Sequence, residues 1–485
     1  MRQVLSGLID IGLRPRGEAT LTRQLYDELR EAILDGALKP GRRLPSSRDL
    51  ARQLKVSRNT VSSVIDQLAM EGYLDVAQGR RPVIAAAKPA LVGGKPVSPG
   101  VVRKVRMSRW AKGLERAHWP AIDEGSPRPF QPGLADAREF PHELWARCLR
   151  RTARIAPSRG ALTLNRPSLQ AALLRYLVEH RGVRAEPRQV IVMPSAQAAI
   201  ALVSRVVLDA GDLVWLESPG YGGARAAFEA AGARVSGVAL DRSGLIISNR
   251  NDRPGLIFVT PSHQYPTGRL MPVNRRQELL AFAGSVGAAI IEDDYDSEFH
   301  YDGRPVAALQ GLDETGSVFY VGTFSKSTFS DIRFGYVVVP ESHVDTFERA
   351  QRHSGHIAAV PLQEALAKFI EDGHFAAHIR KVTRLYGARR DHLVRALTAA
   401  AGDRLSVDPP SGGMQLLAYL KSGIDDCDVT LRLNAAGVTV RPLSRHFVGR
   451  IAEHGLFLGF AAWNADEIDA GAAVIGDVLR KRLVR

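Results

Sequence analysis

Leu21, Leu25, Leu29 and Ile33 recur at the spacing of one helical face, with Tyr26 and Ala32 beside them and Gly36 to close the segment. After the turn Lys39-Pro40-Gly41, the run Leu44-Pro45-Ser46-Ser47 opens a second helix whose apolar positions are Leu50, Ala51 and Leu54. Ser57 is a good cap for a third helix, which would bury Val61, Val64, Ile65 and Leu68 and stop at Gly72. Then Tyr73-Leu74-Asp75-Val76 and Pro82-Val83-Ile84 flank Ala77-Gln78-Gly79-Arg80-Arg81, which predicts a short strand pair with a basic tip. Three short helices and a basic hairpin make residues 1–84 a winged helix-turn-helix, mainly α with a β wing.

From 85 to 108 the text turns to Ala, Pro, Gly, Val and Lys without a helical or strand period, which predicts a linker. Fully extended, two dozen residues would reach roughly 80 Å. From 109 to 485 short apolar runs alternate with helical stretches: Val190-Ile-Val-Met, Leu213-Val-Trp-Leu, Leu256-Ile-Phe-Val, Ala289-Ile-Ile-Glu and Val318-Phe-Tyr-Val. Continuously apolar strands of this length belong to a mostly parallel α/β sheet covered by helices on both faces.

Composition narrows the class. Over 485 residues, 45% hydrophobic and 24% charged are ordinary globular values and exclude wholesale disorder. No apolar run reaches the roughly 18 residues of a membrane span, and Met1-Arg2-Gln3-Val4 is not followed by a signal-peptide core, so the expectation is a soluble, cytoplasmic protein. Cys148 and Cys427 are too few for a disulfide framework or a cysteine zinc site, and no metal is expected. The net charge of +14 is uneven: residues 1–110 hold 20 Lys+Arg against 10 Asp+Glu, while residues 111–485 hold 45 against 41. A basic first fifth on a near-neutral body points to an N-terminal polyanion reader joined to something with another task.

The first turn of the third helix carries Ser57-Arg58-Asn59-Thr60, the part of a recognition helix that meets base edges in the major groove. Arg58 suits guanine and Asn59 adenine, while Ser57 and Thr60 suit phosphates or either base. Arg48 on the preceding helix and Arg80 and Arg81 on the wing would hold flanking backbone and minor groove of double-stranded DNA. Leu44-Pro-Ser-Ser-Arg-Asp-Leu-Ala, Val56-Ser-Arg-Asn-Thr-Val and Leu68-Ala-Met-Glu-Gly-Tyr-Leu resemble the signature of the GntR-type winged helix-turn-helix. The resemblance implies DNA contacts at Arg48, Ser57, Arg58, Asn59, Thr60 and Gly79; Arg80-Arg81-Pro82 departs from the family's small wing residues.

Polar residues collect at the carboxyl ends of the five strands, where such sheets bind ligands. They are Ser195-Ala196-Gln197, Glu217-Ser-Pro-Gly-Tyr221, Pro261-Ser-His-Gln-Tyr265-Pro-Thr-Gly268, Glu292-Asp293-Asp294-Tyr295-Asp296, and Gly322-Thr323-Phe-Ser325-Lys326 with Arg333 seven residues on. Singly, each reads as a cap, a packed ring, an acidic turn or a surface lysine; together they assemble one site. That site resembles the pyridoxal 5′-phosphate (PLP) site of fold-type I, class I/II aminotransferases, over residues 115–480, with large and small subdomains.

The resemblance implies a Schiff base at Lys326, a pyridine-nitrogen partner at Asp293 (or, by a one-residue slip, Asp294), and a phenolic-oxygen contact from Tyr295. It implies a stacked Tyr221 and a phosphate cradle of Ser195, Ala196, Gln197, Thr323, Ser325 and Arg333. Two departures stand out. Tyr265 occupies the place of the asparagine in an Asn-Pro-Thr-Gly turn, and Phe457 the place of the arginine that grips a substrate carboxylate. Arg225, Arg441 and Arg445 are alternative grips, each expected instead to be a surface arginine.

A GntR-type reader on an aminotransferase-like body is similar to the MocR/GabR family of transcriptional regulators. His263-Gln-Tyr-Pro-Thr-Gly, Asp294-Tyr-Asp-Ser-Glu-Phe and Gly373-His-Phe-Ala-Ala-His-Ile-Arg380 add to the likeness. It implies a head-to-tail homodimer, each reader against the other subunit's body. It also implies sequence-specific transcriptional control by PLP or a small amine or amino compound, with weak or no transaminase activity. The alternative is an active aminotransferase with an appended DNA-binding domain. A regulator that senses without PLP is disfavoured by the Lys326 and Asp293 pair.

Overall fold

Thr20, Ser46 and Ser57 each cap a helix by accepting a hydrogen bond from the backbone N–H three residues on. The helices so started are Leu21–Leu34, Ser47–Leu54 and Arg58–Met70. The computed structural model describes residues 3–5, 9–13, 19–77, 79–86, 106–114, 126–154, 164–247, 252–303 and 306–481. The chain divides into two units, Met1–Arg106 and Met107–Arg485. Gln78 of the wing, and residues 87–105 of the linker expected at 85–108, lie outside the described residues.

In the first unit every inward position expected of the three helices is buried or packed against the core. Leu25, Leu29, Ile33, Leu50, Leu54, Val61, Val64, Ile65 and Leu68 form one cluster, with Leu21 and Ala51 at its edge. Tyr26, also buried, donates its hydroxyl to Glu71 Oε2, and Arg30 Nε donates to Tyr73 Oη at 3.2 Å. A strand pair not expected from the sequence, β1 (Gln3–Leu5) with β2 (Ile9–Ile11), precedes the helices, and Ile11 joins their core. Three-residue strands are too short to show a period. The wing is the antiparallel pair β3 (Leu74–Asp75) and β4 (Val83–Ile84).

The second unit is built on an eight-stranded sheet. Its strands are β5 (Val190–Met193), β6 (Leu213–Ser218), β7 (Arg234–Asp241), β8 (Gly244–Leu245), β9 (Leu256–Val259), β10 (Ala289–Asp293), β11 (Val318–Thr323) and β12 (Gly335–Val338), in the order β5-β12-β11-β10-β9-β6-β7-β8. Strands β7, β6, β9, β10 and β11 pair parallel; β12 runs antiparallel to both its neighbours. Both faces are covered, which is why the runs read as continuously apolar. In β5, Ile191 and Met193 pack with Ile200, Val203 and Phe347 on one side, while Val190 and Val192 belong to the cluster on the other. Among the described residues no helix is long and apolar enough to cross a membrane.

A smaller antiparallel sheet follows, β13 (Leu405–Val407), β14 (Gln415–Leu420), β15 (Arg441–Pro442) and β16 (Gly455–Gly459), in the order β13-β14-β16-β15. Its last turn is stitched by one fully buried carboxylate, Asp426. Asp426 accepts from Ser444 N at 2.8 Å, Ser444 Oγ at 2.6 Å and Gly455 N at 3.1 Å, and lies 3.1 Å from His454 Nδ1. Burial pushes the Asp426 pKa up, but these hydrogen bonds outweigh it and hold the carboxyl below its ordinary range. Its stabilisation is therefore complete above the ordinary carboxyl pKa and lost as pH falls through the lowered value. Asp426→Ala, which strands the Ser444 and Gly455 N–H groups, should cost about 3 kcal/mol in urea unfolding at neutral pH, with a smaller penalty in acid.

Candidate functional site

The carboxyl ends of the large sheet's central strands and the last turn of the small sheet enclose a cavity of about 450 Å³. At one end, Ser195 caps the helix Ala196–Val207, its Oγ accepting from Ala198 N at 3.1 Å, so the helix's unpaired N–H groups open into the cavity. Strand β12 passes this terminus so closely that a Cβ on Gly335 would stand 2.4 Å from Ser195 C and 2.5 Å from Ala196 N. Arg333, two residues earlier and in the left-handed region at φ 52°, lines the same end. Thr323 at the tip of β11 lines it too; its Oγ1 donates to Phe334 O at 3.1 Å and accepts from Ser325 N at 3.2 Å. Ser325 itself is half-buried and off the cavity wall.

In the middle, Lys326 Nζ donates to Gly133 O at 2.6 Å, and burial holds its pKa below the ordinary lysine range against the pull of Asp296 and Asp293. A Cβ on Gly133, which sits at φ +82°, would come 2.8 Å from that nitrogen. Tyr221 Oη donates to Gln197 Oε1 at 3.1 Å, and Gln197 Nε2 donates to Gly223 O at 2.8 Å, which fixes the ring against the helix start. Tyr295 and Gln415 line the wall from opposite sheets, and Gln415 Oε1 is buried without a partner.

At the far end Asp293 and Asp294 part company. Asp294 accepts from Arg181 Nε at 2.8 Å, Ser297 Oγ at 2.7 Å and Tyr320 Oη at 2.5 Å, all away from the cavity. Burial opposes its ionisation, but Arg181 and the hydroxyls keep its pKa low. Asp293 lines the cavity, and its buried Oδ1 has no partner. Burial first, then Asp294 and Asp296, push its pKa up to about 8. Neighbouring residues at a strand end face opposite ways, which is what separates two carboxylates that the sequence leaves interchangeable.

On the first unit, Ser57, Arg58 and Asn59 are exposed on the first turn of the third helix, and Thr60 is half-buried with its Oγ1 2.8 Å from Ser57 Oγ. Arg48, Gly79, Arg80 and Arg81 are all exposed, Gly79 at φ +75° in the wing turn.

Residues 21–84 match the bacterial regulatory proteins of the gntR family, and residues 144–452 match aminotransferase class I and II. Over 92% of this chain and 90% of the relative, the sequence is 39% identical to a "probable rhizopine catabolism regulatory protein MocR" of Rhizobium meliloti. The chain belongs to the MocR/GabR family of transcriptional regulators. A second relative, the HTH-type pyridoxine biosynthesis transcriptional regulator PdxR of Corynebacterium glutamicum, is 30% identical over 97% of this chain and 98% of its own. Among solved structures, the α-aminoadipate aminotransferase of Thermus thermophilus, complexed with N-(5′-phosphopyridoxyl)-L-leucine, superposes with a TM-score of 0.66 at 26% identity. It covers 73% of this chain and 92% of its own. This MocR-family protein is thus a DNA-binding transcriptional regulator with a fold-type I aminotransferase body.

The two departures from the aminotransferase pattern are built into this regulator's wall. Tyr265 lines the cavity, and its backbone N–H donates to Thr260 Oγ1 at 2.8 Å, which donates on to Glu217 Oε2 at 2.7 Å. Burial pushes the Glu217 pKa up to about 7. Phe457 is buried behind the wall, edge-on to Tyr265 at 5.1 Å and His446 at 5.8 Å. Its register partner on β15 is Arg441, which, with Arg445, does line the cavity, contrary to the surface placement expected of both. Arg225 is exposed and pairs with Glu229 at 2.7 Å. Gly133, Thr260, Gln415 and His446 also line the cavity and carry no local sequence signal; only the tertiary fold brings them there.

The split between the two aspartates is testable. Asp294→Ala leaves the buried Arg181 guanidinium unpaired and should destabilise the body by about 3–5 kcal/mol in urea unfolding. Asp293→Ala removes a carboxyl whose Oδ1 has no partner and should move stability by less than about 1 kcal/mol.

Proposed function

We propose that the cavity holds PLP and that its occupancy, by PLP alone or by an amine or amino compound joined to it, sets how tightly the reader holds DNA. The single observation that carries this reading is the buried, partnerless Oδ1 of Asp293 in the same cavity as the Lys326 amine. The fit runs along the whole cavity. Asp293 is a buried carboxyl whose Oδ1 lacks a partner, and a protonated pyridine nitrogen would supply one and favour the ionised form. Ser195, Ala196, Gln197, Thr323 and Arg333 would take the phosphate with helix N–H groups, hydroxyls and a guanidinium. Tyr221 would stack on the ring and Tyr295 would bond its phenolic oxygen. When bound, PLP supplies an aldehyde that condenses with primary amines and a ring that withdraws electrons. Lys326, depressed by burial, is the amine to meet that aldehyde.

A ligand moves the regulator only if it binds two states of the body unequally. The state change would be read in a head-to-tail homodimer, and DNA would be contacted by Arg48, Ser57, Arg58, Asn59, Thr60, Gly79, Arg80 and Arg81. One observation favours the alternative of an active aminotransferase with an appended reader: Arg441 and Arg445 offer donors on a wall where Phe457 offers none. A coupled keto-acid assay separates the two, since turnover of common α-amino acids at about 1 s⁻¹ or faster is an ordinary enzyme rate. We expect negligible turnover.

Purified protein supplied with PLP should show a visible absorbance band, and borohydride should fix the cofactor's mass to Lys326; Lys326→Ala should lack both. A protein that stays colourless would overturn the reading. On the DNA side, Arg58→Ala should weaken operator binding by roughly 1–3 kcal/mol and relax discrimination at one base pair. Arg80→Ala and Arg81→Ala should lower affinity evenly across sequences and flatten its salt dependence, all measured by fluorescence anisotropy.

A further inference from the structure

Three buried polar atoms on the cavity-lining residues lack a partner among the described residues: Asp293 Oδ1, His446 Nε2 and Gln415 Oε1. The first is the atom suited to a pyridine nitrogen, and the His446 ring packs edge-on against Tyr265 and Phe457. Gln415 Oε1 has no task in holding PLP. The residue is 7% exposed and opens strand β14, in the run Gly412-Gly413-Met414-Gln415.

The backbone there is pinned on both sides. Gly412 and Gly413 let the chain run hard against His263 and Asp296: a Cβ on Gly412 would strike His263 Nε2, and one on Gly413 would stand 2.7 Å from Asp296 Oδ2. Gly413 O accepts from Tyr301 Oη, and Met414 N donates to Asp296 Oδ2 at 3.2 Å. Across the sheet Gln415 pairs with Gly459, whose N–H donates to Phe130 O at 2.8 Å. A Cβ on Gly459 would come 2.5 Å from Gln131 O, so the loop that carries Gly133 lies directly on this part of the sheet. The carboxamide is therefore presented from a rigid element.

Its two ends meet different groups. Burial pushes the Tyr295 pKa up, and a hydrogen bond from the Gln415 side chain opposes that rise. Only a donor favours a phenolate in this way, so the nitrogen end is engaged by Tyr295 and the oxygen end is left. Oε1 and the Lys326 amine then converge on one spot. The point that a Cβ on Gly133 would occupy is 4.0 Å from Gln415 Oε1 and 2.8 Å from Lys326 Nζ.

An effector amine that joins PLP takes the place of the Lys326 amine, so the group beside it is the one that Oε1 meets. A carboxylate there offers only acceptors. Phe457, which faces Leu417 two residues along from Gln415, supplies no donor to compensate. A second ammonium would join Lys326, Arg333, Arg441 and Arg445 on a wall whose one carboxyl is Asp293. A methyl leaves the buried oxygen unpaired, whereas a hydroxyl satisfies it and brings no charge.

We propose that Gln415 selects the effector, and that the effector is an amino alcohol: a primary amine with a hydroxyl on the neighbouring carbon, donating to Oε1. This rests on the PLP reading in one respect: PLP holds the amine, and Gln415 reads what stands beside it.

The test titrates full-length, PLP-loaded protein with 2-aminoethanol, n-propylamine and glycine, following the visible band. Each affinity is divided by the same amine's affinity for free PLP, which removes differences in basicity. On that scale wild type should favour 2-aminoethanol about tenfold over n-propylamine, which has a methyl in place of the hydroxyl, and should favour it over glycine as well. Gln415→Met is unbranched and of similar size, and it should reduce the advantage to about twofold or less. Only the ratio within each protein is compared, so a general loss of binding cancels. A wild type without the advantage overturns the proposal, whether or not the variant folds. A preference for glycine overturns it too, as does an advantage that survives in full in Gln415→Met. Failure of the PLP reading shows separately, as protein that develops no band with PLP before any amine is added, and the proposal falls with it.

Discussion

Four carboxylates crowd the carboxyl end of β10, and the number of cations available to them decides what the cavity can hold. Glu292 lies 3.6 Å from the buried Arg276 and accepts from the backbone of Leu309 and Gln310. Asp294 takes Arg181. Asp296 lies 2.8 Å from His263 Nδ1 and accepts from Met414 N at 3.2 Å. Asp293 retains an oxygen with no partner, in the wall of the cavity, with its pKa driven up by the burial and charge around it. A buried carboxyl left short in this way is costly unless a donor arrives. A cationic donor from outside the chain would bring the group back toward its ordinary ionisation, as the cofactor proposed for this cavity would.

The other cavity wall depends on a different carboxylate. Asp426 ties the turn through Ser444 to the strand at Gly455, and that turn carries Arg445 and His446 onto the wall while β15 brings Arg441. Burial holds the His446 pKa down to about 4, so at neutral pH it faces the cavity as an uncharged imidazole, with a buried Nε2 that has no partner. The large sheet thus supplies the groups suited to a phosphate and a pyridine, and the small sheet supplies groups suited to whatever is attached to them. A ligand touching both walls has the means to favour one arrangement of the two sheets over another.

Much of this was legible in the sequence because the signals were local. The three reader helices announced themselves through caps and a 3.6-residue period, and five sheet strands through apolar runs that both-face burial demands. The Lys326, Asp293 and Arg333 positions followed from a resemblance spread over several strand ends, and the structure places all three on one cavity. Strand β7 escaped because only Val238 of its eight residues is fully buried, so no apolar run marks it. Choosing between Asp293 and Asp294 needed Arg181, more than a hundred residues away. Arg441 and Arg445 read as surface residues because nothing near them in the chain says that β15 pairs with β16 at Phe457. Ser325 shows the reverse error of locality: it sits in the right motif, but its N–H is spent on Thr323 and it stands off the wall.

The claim that joins these observations is that the body's cavity controls the reader. Its most direct test is operator affinity of the full-length protein, followed by fluorescence anisotropy at fixed salt while PLP is titrated, with absorbance recorded on the same samples. The account predicts that wild-type affinity shifts in step with the visible band, by at least about 1.4 kcal/mol, a tenfold change, and that Lys326→Ala shows no such step. A wild-type protein whose band saturates while its operator affinity stays constant would contradict it.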